Sequence, residues 1–238
     1  MRLITVLIIV LTLLVVAMAA GYVRAYSYYH SPRYDPSQYG TVRITDVYDT
    51  LKPGDVLLFI SSLHCMTTSV LMKGLFSHAA ILVRHGGDLW LSESSLEGSR
   101  ISPTIDSGPG TVLVPPLLKI KHYTGVVYLM RLARPLTAAQ EARLGAEAAR
   151  WRPYPLHTAA IRKMLWSALG GRTWGSDSSR HCFQHVATLL EAIGLYPDGD
   201  RLSKKGYIDV GLAITELAGK PLHAGNVYEE PVRIVYDA

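Results

Sequence analysis

Two residues in this chain combine a chemically capable side chain with a telling position. Cys182 stands near the start of HCFQHVATLLEAIGLY, residues 181–196, where Phe183, Val186, Ala187 and Leu190 recur at helical spacing, Gly194 supplies a stop and Asp177, Ser178 or Ser179 could cap. A thiol in the first turn of a helix meets unsatisfied backbone N–H groups and the positive end of the helix dipole, both of which favour the thiolate. The same N–H groups can hold the oxyanion of a tetrahedral intermediate. What this segment lacks is a base from a separate element.

His78 can supply it. It lies in GLFSHAAILV, residues 74–83, an apolar run that reads as a buried strand and gives no local reason for an imidazole. Just beyond, VRHGGDLWLSES reads as a hairpin in which Gly86 and Gly87 provide the positive φ angles of a two-residue turn. That turn pairs His85 with Asp88 and, by continuation, Ala80 with Glu93 and His78 with Ser95. His78 and Glu93 then become diagonal neighbours on one face, roughly 7–8 Å apart along the backbone and within side-chain reach. The carboxylate can orient the imidazole, and the nucleophile arrives from the distant helix.

Other residues compete for these roles. His181 and His185 flank Cys182, but a base on the nucleophile's own helix is an unusual arrangement. As an i, i+4 pair they lack the glutamate of the metalloprotease signature and an obvious third ligand, so they read as a solvated helix start, and no metal or other cofactor is expected. Cys65 also precedes a plausible helix, TTSVLMKGLF, with His64 and His78 nearby. So short a separation from His78 leaves little room for two independent elements, and Cys65 reads as a packing residue. A Cys65–Cys182 disulfide stays open if the domain is extracytoplasmic. Trp151, Trp166 and Trp174 read as core or pocket wall, GSDSS does not make a nucleophile elbow, and there is no Gly-rich phosphate loop.

The elements that must position these side chains belong to an α+β chain of 238 residues. LKPGDVLLFI and TGVVYLMRL read as further strands, and LTAAQEARLGAEAARW as a helix opened by a Thr137–Gln140 capping box and closed before Pro153. HTAAIRKMLWSALGG reads as another helix, ended by two glycines. Residues 1–24 carry an uncharged apolar run, 3–23, long enough for a membrane anchor; AMA at 17–19 keeps a cleaved signal peptide open as the alternative. Residues 25–41, rich in Tyr, Ser and Pro, read as a linker, and residues 42–238 as the folded domain. Basic side chains give a net charge of +5 but are scattered without interleaved aromatics, which excludes a nucleic-acid surface. The expected location is a membrane with a single N-terminal pass, or outside the cell if the segment is cleaved; the flanking Arg2, Arg24 and Arg33 leave the orientation open.

In order and spacing, PGDVLLF, FSHAAILV, LSES with EGSRISP, VVYLMRL and HCFQHVATLLEAIGLY resemble the circularly permuted branch of the NlpC-type papain-like superfamily, which includes YiiX-like proteins, lecithin–retinol acyltransferase relatives and homologues in large DNA viruses. The resemblance spans about residues 51–196. It implies a circularly permuted papain-like (NlpC-type) fold, an antiparallel sheet packed against helices, with the histidine strand ahead of the cysteine helix. It also implies Cys182 as nucleophile, His78 as general base and Glu93 as the polar third member, while RPYPL resembles the family's tyrosine segment and implies Tyr154 beside the substrate. Where relatives often read Cys-Ser-Glu this chain has Cys182-Phe183-Gln184, and Pro155 replaces a common acid, differences that bear on substrate choice. The expected activity is a membrane-anchored cysteine hydrolase cleaving a peptide, amide or lipid-ester bond through an acyl-thioester. Acyl transfer to a lipid acceptor and a catalytically silent membrane or envelope binding module are the alternatives.

Overall fold

The computed structural model describes residues 36–61, 76–95, 109–150, 152–153, 181–196 and 216–236, together with isolated positions at 5, 12, 15, 16, 19, 23 and 214. Most of the apolar segment and linker, residues 67–75 of the expected first helix, the expected helix at 157–171, Cys65, Tyr154, the three tryptophans named above and the caps proposed at 177–179 lie outside the described residues. Among those described, no helix is long and apolar enough to cross a membrane.

Among the described residues seven strands form one sheet: β1 (Thr41–Arg43), β2 (Val56–Ser61), β3 (His78–His85), β4 (Asp88–Ser95), β5 (Gly110–Val114), β6 (Gly125–Met130) and β7 (Val232–Val235). Their order is β1-β7-β6-β2-β3-β4-β5. The helices are α1 (Ile44–Val47), α2 (Pro116–His122), α3 (Ala138–Ala148) and α4 (Cys182–Ala192). The sheet is antiparallel except at one edge, where β1 and β7 run parallel, Thr41 opposite Arg233. The late strand β7 inserts between β1 and β6.

Strands β2 and β3 sit in the middle of the sheet with both faces covered, which is why VLLFI and AAILV read as continuous apolar runs instead of alternating ones. On one face Val56, Leu58, Ile81, Val83 and Tyr128 pack against Leu144 of α3 and Phe183, Val186 and Leu190 of α4. On the other, Leu57, Phe59, Leu82, Leu91 and Val127 meet Ile44 and Val47 of α1 and Ile120 of α2. The sheet therefore separates α4 from α2.

Two sequence signals act as expected. Gly86 and Gly87 adopt φ of 62° and 94° and close the β3–β4 hairpin as a two-residue turn, pairing His85 with Asp88. Thr137 and Gln140 form the reciprocal capping box of α3. Gln140 also donates through Nε2 to the Ile193 carbonyl at 3.2 Å, tying the start of α3 to the end of α4.

Candidate active site

His78 is the first residue of β3 and pairs with Phe59 of β2. The β3–β4 ladder runs from His85–Asp88 to Ile81–Ser92, in the register set by the glycine turn. Beyond that point β3 stays with β2 while Glu93, Ser94 and Ser95 pair with Val112, Thr111 and Gly110 of β5. The pairs expected at Ala80–Glu93 and His78–Ser95 are thus not ladder pairs, because the two strands follow different neighbours as the sheet twists. The side chains still meet: His78 Nε2 lies 2.9 Å from Glu93 Oε2.

Glu93 is fully buried, and its second oxygen, Oε1, accepts a hydrogen bond from Lys119 Nζ at 2.8 Å. Burial opposes ionisation of this carboxyl, but the His78 hydrogen bond and the Lys119 charge outweigh it and hold the group down at about 2. The carboxylate is fixed at both ends, one oxygen to each cation partner.

Cys182 is the first residue of α4 and a free thiol; Cys65, its possible disulfide partner in the sequence, lies outside the described residues. Cys182 and the His78 ring influence each other's titration, while the ring's Nε2 is engaged by Glu93. Burial alone would push the thiol up; the His78 charge, with hydrogen bonds from His181 and His78, brings it down to about 5. Burial would likewise lower His78, but the Cys182 thiolate and Glu93 raise it to about 9. Each charge thus favours the other: the imidazole draws the thiol down and the thiolate draws the imidazole up, the direction a cysteine–histidine pair needs for reactivity.

The three groups come from different layers. Cys182 packs in the core on the α4 side of the sheet, whereas Phe59, cross-strand partner of His78, belongs to the opposite core. His78, at the end of its strand, is where the thiol and the carboxylate come within reach of one ring. His78 is partly exposed, with 18% of its side chain accessible, whereas Cys182 and Glu93 are buried.

His181 and His185 are not the solvated helix start expected from sequence, for both are buried. His181 is the N-cap of α4, its Nδ1 accepting from the Gln184 N–H, and the ring also hydrogen-bonds the Cys182 sulfur. His185, one turn along, places Nε2 at 2.8 Å from Ser92 Oγ on β4. The two rings serve different partners. Among the described residues no group of three or more His, Cys, Asp or Glu side chains is placed to hold a metal ion.

Lys119 is the functional-site neighbour that sequence reasoning missed. Its helix, PLLKIKH, is seven residues long, too short for a periodicity that separates a buried lysine from an exposed one. The only local signal was that Pro115-Pro116 could open a helix.

No family model matches the chain. No curated protein matches it. Among solved structures it is similar to the crystal structure of metalloprotein yiiX from Escherichia coli O157:H7, at 19% identity and a TM-score of 0.42, over 76% of this chain and 87% of that one.

Proposed function

We propose that this protein is a cysteine hydrolase of the permuted papain-like type, held at a membrane by its N-terminal apolar segment, that cleaves an amide or ester bond through an acyl-thioester. One observation carries the reading: His78 Nε2 lies 2.9 Å from the Glu93 carboxylate, and the same imidazole and a free thiol at the first position of a helix draw each other toward their charged forms.

The chemistry follows from that pairing. The Cys182 thiolate attacks the carbonyl carbon, and the oxyanion turns toward the helix start. There the Gln184 N–H is taken by His181 and the His185 N–H by the His181 carbonyl, so the donors that helix geometry leaves are those of Cys182 and Phe183. His78 passes its proton to the leaving amine or alcohol, then takes one from the water that resolves the thioester. Glu93 keeps the ring oriented through both steps. Tyr154, by the family resemblance, would line the substrate side.

Alkylation of the full chain with iodoacetamide, read by mass spectrometry of the cysteine peptides, tests this. Cys182 is expected to react selectively near neutral pH and to lose that reactivity in His78→Ala. Equal, slow reaction of Cys65 and Cys182, unchanged by the substitution, would overturn the enzyme and leave the binding-module alternative. Product analysis with a lipid ester, with and without an acyl acceptor, separates hydrolysis from transfer.

A further inference from the structure

Lys119 is nearly buried, with 10% of its side chain exposed, and its ammonium group is spent on one partner in the candidate site. A lysine so placed loses most of its hydration, and its bond to Glu93 Oε1 has to compensate. The carboxylate is in the same position from the other side. Were Lys119 absent, a fully buried Glu93 beside an imidazolium could relieve its charge by taking the His78 proton, giving a neutral acid and a neutral imidazole. That transfer would strip the thiolate of its counter-ion and the leaving group of its proton donor.

We propose that Lys119 is a positioning residue of this site: it holds Glu93 as an anion in one orientation, so that Glu93 steers the His78 imidazole without accepting its proton. This deepens the reading of Cys182 as nucleophile and rests on it. The charged and titratable groups that meet here are His78 from β3, Glu93 from β4, Lys119 from α2, and Cys182 with His181 from α4. Through the cycle the mobile proton moves from sulfur to His78 and from His78 to the leaving group. Lys119 keeps its own protons and Glu93 none, so the relay balances on sulfur, imidazole and substrate. The Lys119 Nζ also lies 5.8 Å from the centroid of Phe59, and the Phe59 ring lies 5.3 Å from that of His78, so Phe59 neighbours both the ammonium and the imidazole.

The test is the pH dependence of Cys182 alkylation in the full chain, which needs no known substrate. Lys119→Met is expected to move the acid limb upward by roughly one pH unit or more, because the dyad loses a counter-charge relay. Lys119→Arg, which preserves the charge, is expected to restore most of it. In a Glu93→Gln background, where no anion remains to be held, Lys119→Met is expected to add no further shift, and this double variant removes the unpaired buried charge that could compromise folding of the single one. A wild-type midpoint in Lys119→Met, or an equal shift with and without Glu93, would overturn the role of Lys119 while leaving the cysteine–histidine reading intact. An ordinary thiol titration in the wild-type chain, indifferent to His78→Ala, would instead remove the nucleophile itself and the proposal with it.

Discussion

Ser92 and His185 close a 2.8 Å hydrogen bond between β4 and α4, one residue before the carboxylate Glu93 and one helical turn after the thiol Cys182. Both are fully buried. The bond therefore ties the helix that carries Cys182 to the strand that carries Glu93. Ser92→Ala would leave the His185 Nε2 without this partner and is expected to destabilise the fold by about 1–3 kcal/mol. The urea midpoint should fall with an unchanged slope, while the pH midpoint of Cys182 alkylation, which Ser92 does not touch, stays within a few tenths of a unit. An unaltered urea midpoint would show that the two side chains do not register the helix.

The thiolate–imidazolium pair predicts a reactivity window. The Cys182 thiol is lowered to about 5 and His78 raised to about 9, so alkylation should rise through pH 5, and turnover, which needs the His78 proton, should fall through pH 9. The linkage signs agree. The depressed thiol contributes stability that is lost as pH falls through its folded value, and the raised imidazole contributes stability that is lost as pH rises through its own. In His78→Ala the alkylation limb should return to the range of an ordinary thiol, about 8.5, or above it because the sulfur is buried. A limb that remained near 5 would assign the lowering to His181 and the helix start instead.

Much of this constellation was legible before any coordinates, for physical reasons that differ residue by residue. Cys182 announced itself because a helix start is a local pattern, and His78 with Glu93 because two adjacent glycines set strand register and hence the face of every residue on the hairpin. The divergence of β3 and β4 past Ser92 was not legible, since it depends on which neighbour each strand follows. Nor was the insertion of β7 beside β1, a contact between segments far apart in sequence that no local window contains. His181 and His185 were misread because polar residues at a helix start usually face water, and here tertiary packing overrode that tendency. Lys119 was hidden for the same reason: its partner is 26 positions away.

The Lys119–Glu93 pair predicts strong non-additivity in stability. Glu93→Gln leaves a nearly buried ammonium without its anion, and Lys119→Met leaves a fully buried carboxylate with only His78; each is expected to cost about 3–5 kcal/mol. The double variant removes both charges and should cost clearly less than the sum of the two. Urea unfolding of the four chains measures the coupling. Additive losses would mean that the two side chains do not stabilise each other, in spite of their 2.8 Å separation.

Gly145 explains why α3 can lie so close to the sheet. Glycine inside a helix costs about 1 kcal/mol relative to alanine, so its presence in AAQEARLGAEA needs a reason. A Cβ at this position would collide with the Arg84 carbonyl oxygen of β3, a backbone atom that cannot swing aside. Gly145→Ala should therefore destabilise by about 1–3 kcal/mol despite the better propensity, as overpacking does. Because α3 is tied to α4 at Ile193, the far end from Cys182, the shift should lower the urea midpoint without moving the alkylation pH midpoint. A Gly145→Ala chain more stable than wild type would show that the helix can retreat from β3 at no cost.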